Sequence, residues 1–155
     1  MRRHIQKFLH RPELNQIGDC DRTTVACLLN MDIDDVPHWG QNNWENPRQW
    51  NIEREKWLST CGLHPIRFLI GGDDVEEVLK WQAAANPGTV YLLTGTSANL
   101  TPHVVICKDD EIIHDPSQDK SGIVGPLINS DTDERYFEIE YFVPTIIHIL
   151  DAAHD

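Results

Sequence analysis

The sequence predicts an α+β fold in which N-terminal helices pack on a C-terminal, mostly antiparallel sheet. Helical patterns come first along the chain, and short β-rich runs follow, closely spaced and divided by Gly, Pro, Asn and Asp. That order differs from the regular strand–helix alternation of a parallel βαβ stack. At 155 residues the chain reads as one domain, 1–155, long enough to bury a substantial core.

Each element has a local reason. Residues 3–9 read as a short strand or arm. Asp19 is a plausible N-cap, and Cys20 to Leu29 then forms the first helix, with Val25, Leu28 and Leu29 on its apolar face and Cys27 beside them. "NMDIDDVPHW" reads as a turn, because Pro37 stops a helix. Asn46-Pro47 opens a second helix with Pro at its first position. Trp50, Trp57 and Leu58 recur there at helical spacing, and Gly62 marks the stop. "PIRFLIGG" is a strand. "DDVEEVLKWQAA" is a third helix whose first turn carries the acids that a helix dipole favours. "GTVYLLTG", "HVVICKDDEIIHD" and "RYFEIEYFV" read as strand, hairpin and strand.

Composition narrows the partners. Five Trp and 40% hydrophobic residues indicate a folded globular chain. A formal net charge of -12 disfavours nucleic acid and anionic membranes, both polyanions, and suits a basic peptide or a neutral small substrate. The same acidity also serves solubility. No apolar stretch follows "MRRHIQKFLH", and no run of about 18 apolar residues occurs, so neither a secretion signal nor a membrane span is expected. Cys20 and Cys27 would lie about 10 Å apart on one helix, beyond disulfide reach. All four cysteines are therefore expected to be reduced and the protein cytoplasmic.

The chemistry centres on "QIGDCDRTTVACLLN". A helix N-terminus carries partial positive charge and stabilises a thiolate, and Cys20 stands at one. Asp19 and Asp21 on either side oppose a further anion, so a nucleophilic thiol here needs an imidazole partner. His103 begins the strand "HVVIC" after Thr101-Pro102, where it can face a cleft. His114 and Asp115 end the next strand before Pro116. Strand alternation decides which of the two accompanies His103. A two-residue turn at Asp109-Asp110 would bring His114 to its face. A three-residue loop from Lys108 to Asp110, with Asp110 in left-handed geometry, would pair Cys107 with Glu111 and set Asp115 opposite His103. The three-residue loop and Asp115 are the expectation.

"GDC" opening a helix, "DIDDVPHW" after it, "HVVICKDDEIIHDP" and a late "YFVP" together resemble small papain-like cysteine peptidase proteins of phages and bacteria. These are similar in pattern to the bacteriocin-leader peptidases, whose triad is Cys, His and an Asp followed by Pro. The resemblance spans most of residues 14–144. It implies a papain-like fold, a nucleophile at Cys20, a base at His103 and an orienting acid at Asp115. It also implies an oxyanion donor just ahead of the nucleophile, for which Gln16 is the nearest glutamine, with Asn15 beside it. The chain departs from papain in that this glutamine lies only four residues ahead, and Asp21 stands where a small residue is expected.

The expected function is a cysteine peptidase or amidase acting on a peptide or protein without a cofactor. Acyl transfer by the same triad is an alternative, and so is a binding module on a degenerate peptidase fold, although no triad member is missing. The segment "HWGQNNWENPRQW" is either a groove wall or lid, or core and domain edge. CxxC and HxxxH spacings are lacking, so a zinc site is not expected. Cys27, Cys61 and Cys107 are expected in the core, and His148 and His154 carry no clear signal.

Overall fold

The computed structural model describes residues 1–145, so His148 and His154 lie outside the described residues. Among those, the chain is α+β, with helices α1 (Cys20–Leu29), α2 (Trp39–Asn43), α3 (Pro47–Thr60) and α4 (Val75–Ala85). The strands are β1 (Leu63–Gly71), β2 (Val90–Thr96), β3 (Pro102–Lys108), β4 (Glu111–His114), β5 (Leu127–Ile128) and β6 (Arg135–Pro144). They form one antiparallel sheet in the order β1-β6-β2-β3-β4, and the short β5 pairs with β6. The sequence pattern did not foresee α2 or β5. No helix is long and apolar enough to cross a membrane.

The sheet is covered on both faces. Leu92, Val104 and Ile106 pack with Cys27 of α1, while Leu93, Val105 and Cys107 pack with Val78 and Leu79 of α4. Alternate residues of β3 thus serve two cores, which is why its sequence is a continuous apolar run. Burial is complete from His103 to Cys107. A third cluster joins α1 to α2 and α3 through Val25, Ala26, Trp39 and Leu58. Cys27 and Cys107 are core, as expected. Cys61 is exposed, because it caps the C-terminal end of α3 rather than sitting on its buried face. All four cysteines are free thiols.

Local rules hold at most helix ends. Asn46 caps α3 by accepting from Gln49 N (3.1 Å), with Pro47 next, and Asp74 caps α4 by accepting from Glu76 N (2.8 Å). Asp19 precedes α1 but makes no side-chain cap. Its carboxylate instead accepts from Phe8 N (2.9 Å) and Arg22 Nε (3.1 Å). Residues 3–9 form an arm rather than a strand. The arm is pinned by Gln6 N to Pro116 O (2.8 Å) and by His4 N to Cys27 Sγ (3.2 Å).

The β3–β4 hairpin corrects one expectation while keeping its consequence. Lys108 pairs with Glu111, so the turn is the two residues Asp109-Asp110, not three. Asp109, not Asp110, takes the positive φ, at 53°. That turn alone would bring His114 to the face of His103. A bulge then intervenes: Cys107 pairs with Ile112 but Ile106 with His114, leaving Ile113 as an extra residue on β4. The extra residue reverses the alternation and returns Asp115 to the face of His103, although the shifted register offsets it from the position directly opposite. His114 faces the arm, and its Nε2 donates to His4 O (2.7 Å).

The helical layer is fastened to the sheet by Arg54. From α3 it donates through Nε to Asp21 of α1 (3.0 Å) and through both terminal nitrogens to Glu140 of β6 (2.9 and 2.5 Å). Arg54 is 3% exposed and Glu140 4%. Removing one member of a buried ion network strands the others without compensation. Arg54→Met is expected to lower the unfolding free energy by about 3–5 kcal/mol in urea titrations. The half-exposed Lys7–Asp34 pair sets the contrast: Lys7→Met should cost less than about 1 kcal/mol. Equal losses in the two variants would refute the anchoring role of Arg54.

Candidate active site

Three of the four residues singled out in the sequence meet at one place. Cys20 is the first residue of α1, His103 the second of β3, and Asp115 follows β4 directly. His103 Nε2 donates to Asp115 Oδ1 at 2.8 Å, and the ring lies close enough to the Cys20 sulfur for it to favour the imidazolium. With Nε2 committed to the carboxylate, Nδ1 is the nitrogen left for the thiol. Gly95 pairs with His103 across β2–β3. A Cβ there would meet Ile123 Cγ2 at 2.6 Å and Gly125 O at 2.7 Å, so only glycine allows the segment behind the imidazole to close.

Asp115 is held as an anion. Oδ1 also accepts from Ser117 N (2.8 Å), and Oδ2 from Gly122 N (2.9 Å). Burial raises its carboxyl pKa, but the bonds from His103, Ser117 and Gly122 outweigh burial and hold it well below the usual carboxylate range. His103 shows the reverse balance. Burial disfavours its imidazolium, yet Asp115 and Cys20 win and push its pKa up to about 9.

The carboxylates beside Cys20 are neutralised. Asp19, fully buried, pairs with Arg22, and Asp21 pairs with Arg54 and accepts from Trp50 Nε1 (3.3 Å). The obstacle that the "DCD" triplet poses to a thiolate is thereby offset by two guanidinium groups. The first backbone bond of α1 runs from Thr23 N to Asp19 O (3.0 Å), and the amides of Cys20 and Asp21 have no partner among the described residues. These N–H groups point their partial positive charge at the thiol end of the helix.

Gln16 is not brought to this place. Its side-chain nitrogen donates to Leu9 O (2.7 Å), closing the loop that joins the arm to α1, and it lines neither cavity at Cys20. The main chain of Asn15 takes a left-handed turn (φ 53°) nearby, at the surface. The glutamine that does line the site is Gln6, which is 7% exposed. Its amide nitrogen donates to Phe8 O (2.9 Å), and its Oε1 is buried without a partner. Sequence reasoning missed it because it searched just ahead of Cys20, whereas the excursion of residues 9–18 returns the earlier arm to the site.

Two cavities meet at the thiol. A groove of about 690 Å³ runs between the arm, the start of α3 and the loops after β2 and β4. A smaller cavity of about 180 Å³ lies between α3 and the sheet. Cys20, Trp50, Pro102 and His103 line both. Of the clustered tryptophans, Trp39 is core, while Trp44 and Trp50 are groove wall, so both readings of that segment hold in part. Among the described residues no group of three or more His, Cys, Asp or Glu side chains converges as for a metal ion. Comparison with family models, curated proteins and solved structures finds no match to this chain.

The shifts define a pH window. Asp115 has a depressed pKa, so its pairing stabilises the fold above the ordinary value of 3.8 and is lost as pH falls. His103 has a raised one, so its contribution is complete below 6.5 and is lost as pH rises through about 9. Titration of the His103 ring by NMR should give a midpoint near 9. In Asp115→Asn the midpoint should fall toward 6.5, since the carboxylate that favours the imidazolium is gone. An unmoved midpoint would show that Asp115 does not set the charge state of the ring.

Proposed function

We propose that this chain is a papain-like thiol hydrolase, a cysteine peptidase or amidase, with Cys20 as nucleophile, His103 as base and Asp115 as the orienting acid. The observation that carries the reading is the imidazole of His103 held between an anionic carboxylate and a thiol at a helix N-terminus.

In this reading the thiol proton already lies on His103 Nδ1, in keeping with the raised pKa of the ring, and the Cys20 thiolate attacks the acyl carbon of a peptide or isopeptide bond. Asp115 fixes the ring and stabilises the imidazolium. The developing oxyanion is met by the Cys20 N–H at the open end of α1. Gln6, not Gln16, supplies the side-chain N–H, because Gln6 lines the groove and has a second amide hydrogen beyond the one given to Phe8. His103 passes its proton to the leaving amine. Water then enters, gives a proton back to His103 and releases the acid from the thioester. An added amine in place of water would make the same site an acyltransferase.

Limiting iodoacetamide at mildly acidic pH, with adducts mapped by mass spectrometry, tests the nucleophile. Cys20 should be labelled before the exposed Cys61, and His103→Ala should slow that labelling. First labelling at Cys61 would refute the assignment. With a peptide substrate found by library screening against Cys20→Ala, Gln6→Ala should cost about 100- to 1000-fold in kcat while leaving alkylation unchanged. Gln16→Ala should cost far less, and the reverse ranking would return the oxyanion role to Gln16.

A further inference from the structure

The smaller cavity holds a carboxylate that nothing in the catalytic reading uses. Glu138 lies on β6 two residues from Glu140, so both project over the same face, and both line this cavity together with Arg54 and Arg67. The partners are unevenly shared. Glu140 takes Arg54 on both oxygens and Arg67 Nε on one (2.5 Å). Arg54 gives its remaining Nε–H to Asp21, and Arg67 turns its other end to Glu55 (3.4 Å). Glu138 is partly buried and has no hydrogen bond or ion pair among the described residues. Across the sheet its neighbours are Thr94 and Leu69, neither of them cationic.

The pairing is therefore uneven: in this cavity Asp21 and Glu140 are held by the arginines and His103 is held by Asp115, while Glu138 is left without a partner. A half-buried carboxylate without a partner is costly, and the missing partner is a monocation. An acidic group would meet Glu138 as a like charge. An apolar group would bury Glu138 further with no compensation. The cavity opens beside Cys20 and His103, so its occupant is attached to whatever meets the thiol. Resting on the hydrolase reading above, we propose that Glu138 makes this cavity a recognition pocket for a lysine or arginine side chain of the substrate, adjacent to the bond that Cys20 attacks. The substrate class is then a basic peptide, which the net charge of -12 would also draw in by long-range attraction. Burial of Glu138, with Glu140 and Asp21 nearby, raises its pKa against the opposing pull of Arg67 and Arg54, and a bound cation would reverse that shift.

The test uses peptidyl acyloxymethyl ketones that alkylate the nucleophile without needing turnover. Lys, norleucine or Glu is placed in turn at each of the two residues preceding the electrophile, and the rate of Cys20 adduct formation is read by mass spectrometry. At one of those positions Lys should outrun norleucine by about tenfold or more, with Glu slowest. The isosteric variant Glu138→Gln should abolish that preference while its Cys20 reacts with iodoacetamide at the wild-type rate. Equal rates for Lys and norleucine at both positions overturn the pocket, as does a Lys preference that survives in Glu138→Gln. If iodoacetamide labels Cys20 with His103 dependence but no ketone does, the pocket fails and the hydrolase reading stands. If iodoacetamide fails to favour Cys20, both fail together.

Discussion

The guanidinium of Arg54 is the constraint on which the rest of this structure depends. It joins the first turn of α1, the body of α3 and the middle of β6 in one buried network, and it does so beside the thiol. Two carboxylates flanking a cysteine in sequence would ordinarily hold its proton in place. Here Asp21 is claimed by Arg54 and Asp19 by Arg22. Each acid is spent on architecture: Asp19 also ties the N-terminal arm through Phe8 N, and Asp21 also receives the indole of Trp50. The helix N-terminus is left to act on Cys20 with its own partial charge. The fold thus turns an unfavourable local sequence into a neutral surrounding by means of partners that lie far along the chain.

That distance separates what the sequence made legible from what it concealed. The helix starts at Cys20 and Pro47, the strand runs and the antiparallel arrangement all follow from residue types and periodicity within a few positions of each other, although Asp19 turns its carboxylate away from the cap. The two-sided coverage of the sheet was readable in hindsight from the unbroken "VVIC" run. Pairings across the chain were not. Nothing local connects Asp21 with Arg54, or Gln6 with a site built by Cys20 and His103. Proximity in sequence made Gln16 the natural candidate, yet its amide closes a loop onto Leu9 while the earlier arm comes back to the groove. Cys61 was misplaced for a related reason. Its neighbours are apolar, but it sits at a helix end where the chain leaves the core.

The hairpin teaches a narrower lesson about alternation. Turn length alone sets side-chain phase only if the ladder beyond the turn is regular. The expected three-residue loop is a two-residue turn, and the bulge at Ile113 supplies the missing residue further along β4. The expected loop would take Lys108 out of β3, whereas the bulge adds Ile113 to β4; the two shift the register in opposite senses but by one residue each, so both put Asp115 on the face of His103. The position of the acid was reachable because parity counts residues, not where they are inserted. The position of the insertion was not reachable, since a bulge in "EIIH" carries no glycine or other local mark.

The site lies where the open end of α1 meets the start of β3, and the two cavities join there rather than anywhere else along the sheet. The groove is walled by loops and by the arm, and it offers hydroxyls, an amide and indole faces suited to an extended main chain. The smaller cavity is walled by a helix and by the sheet itself, and it offers fixed charge. A substrate that meets the proposed nucleophile must touch both. Rigid elements surround the charged cavity, so its selectivity would be set by the same Arg54 network that holds the fold together. On the proposed reading, recognition and stability are coupled: a change in the charges of β6 would alter which side chain is accepted and also how firmly the helical layer is seated on the sheet.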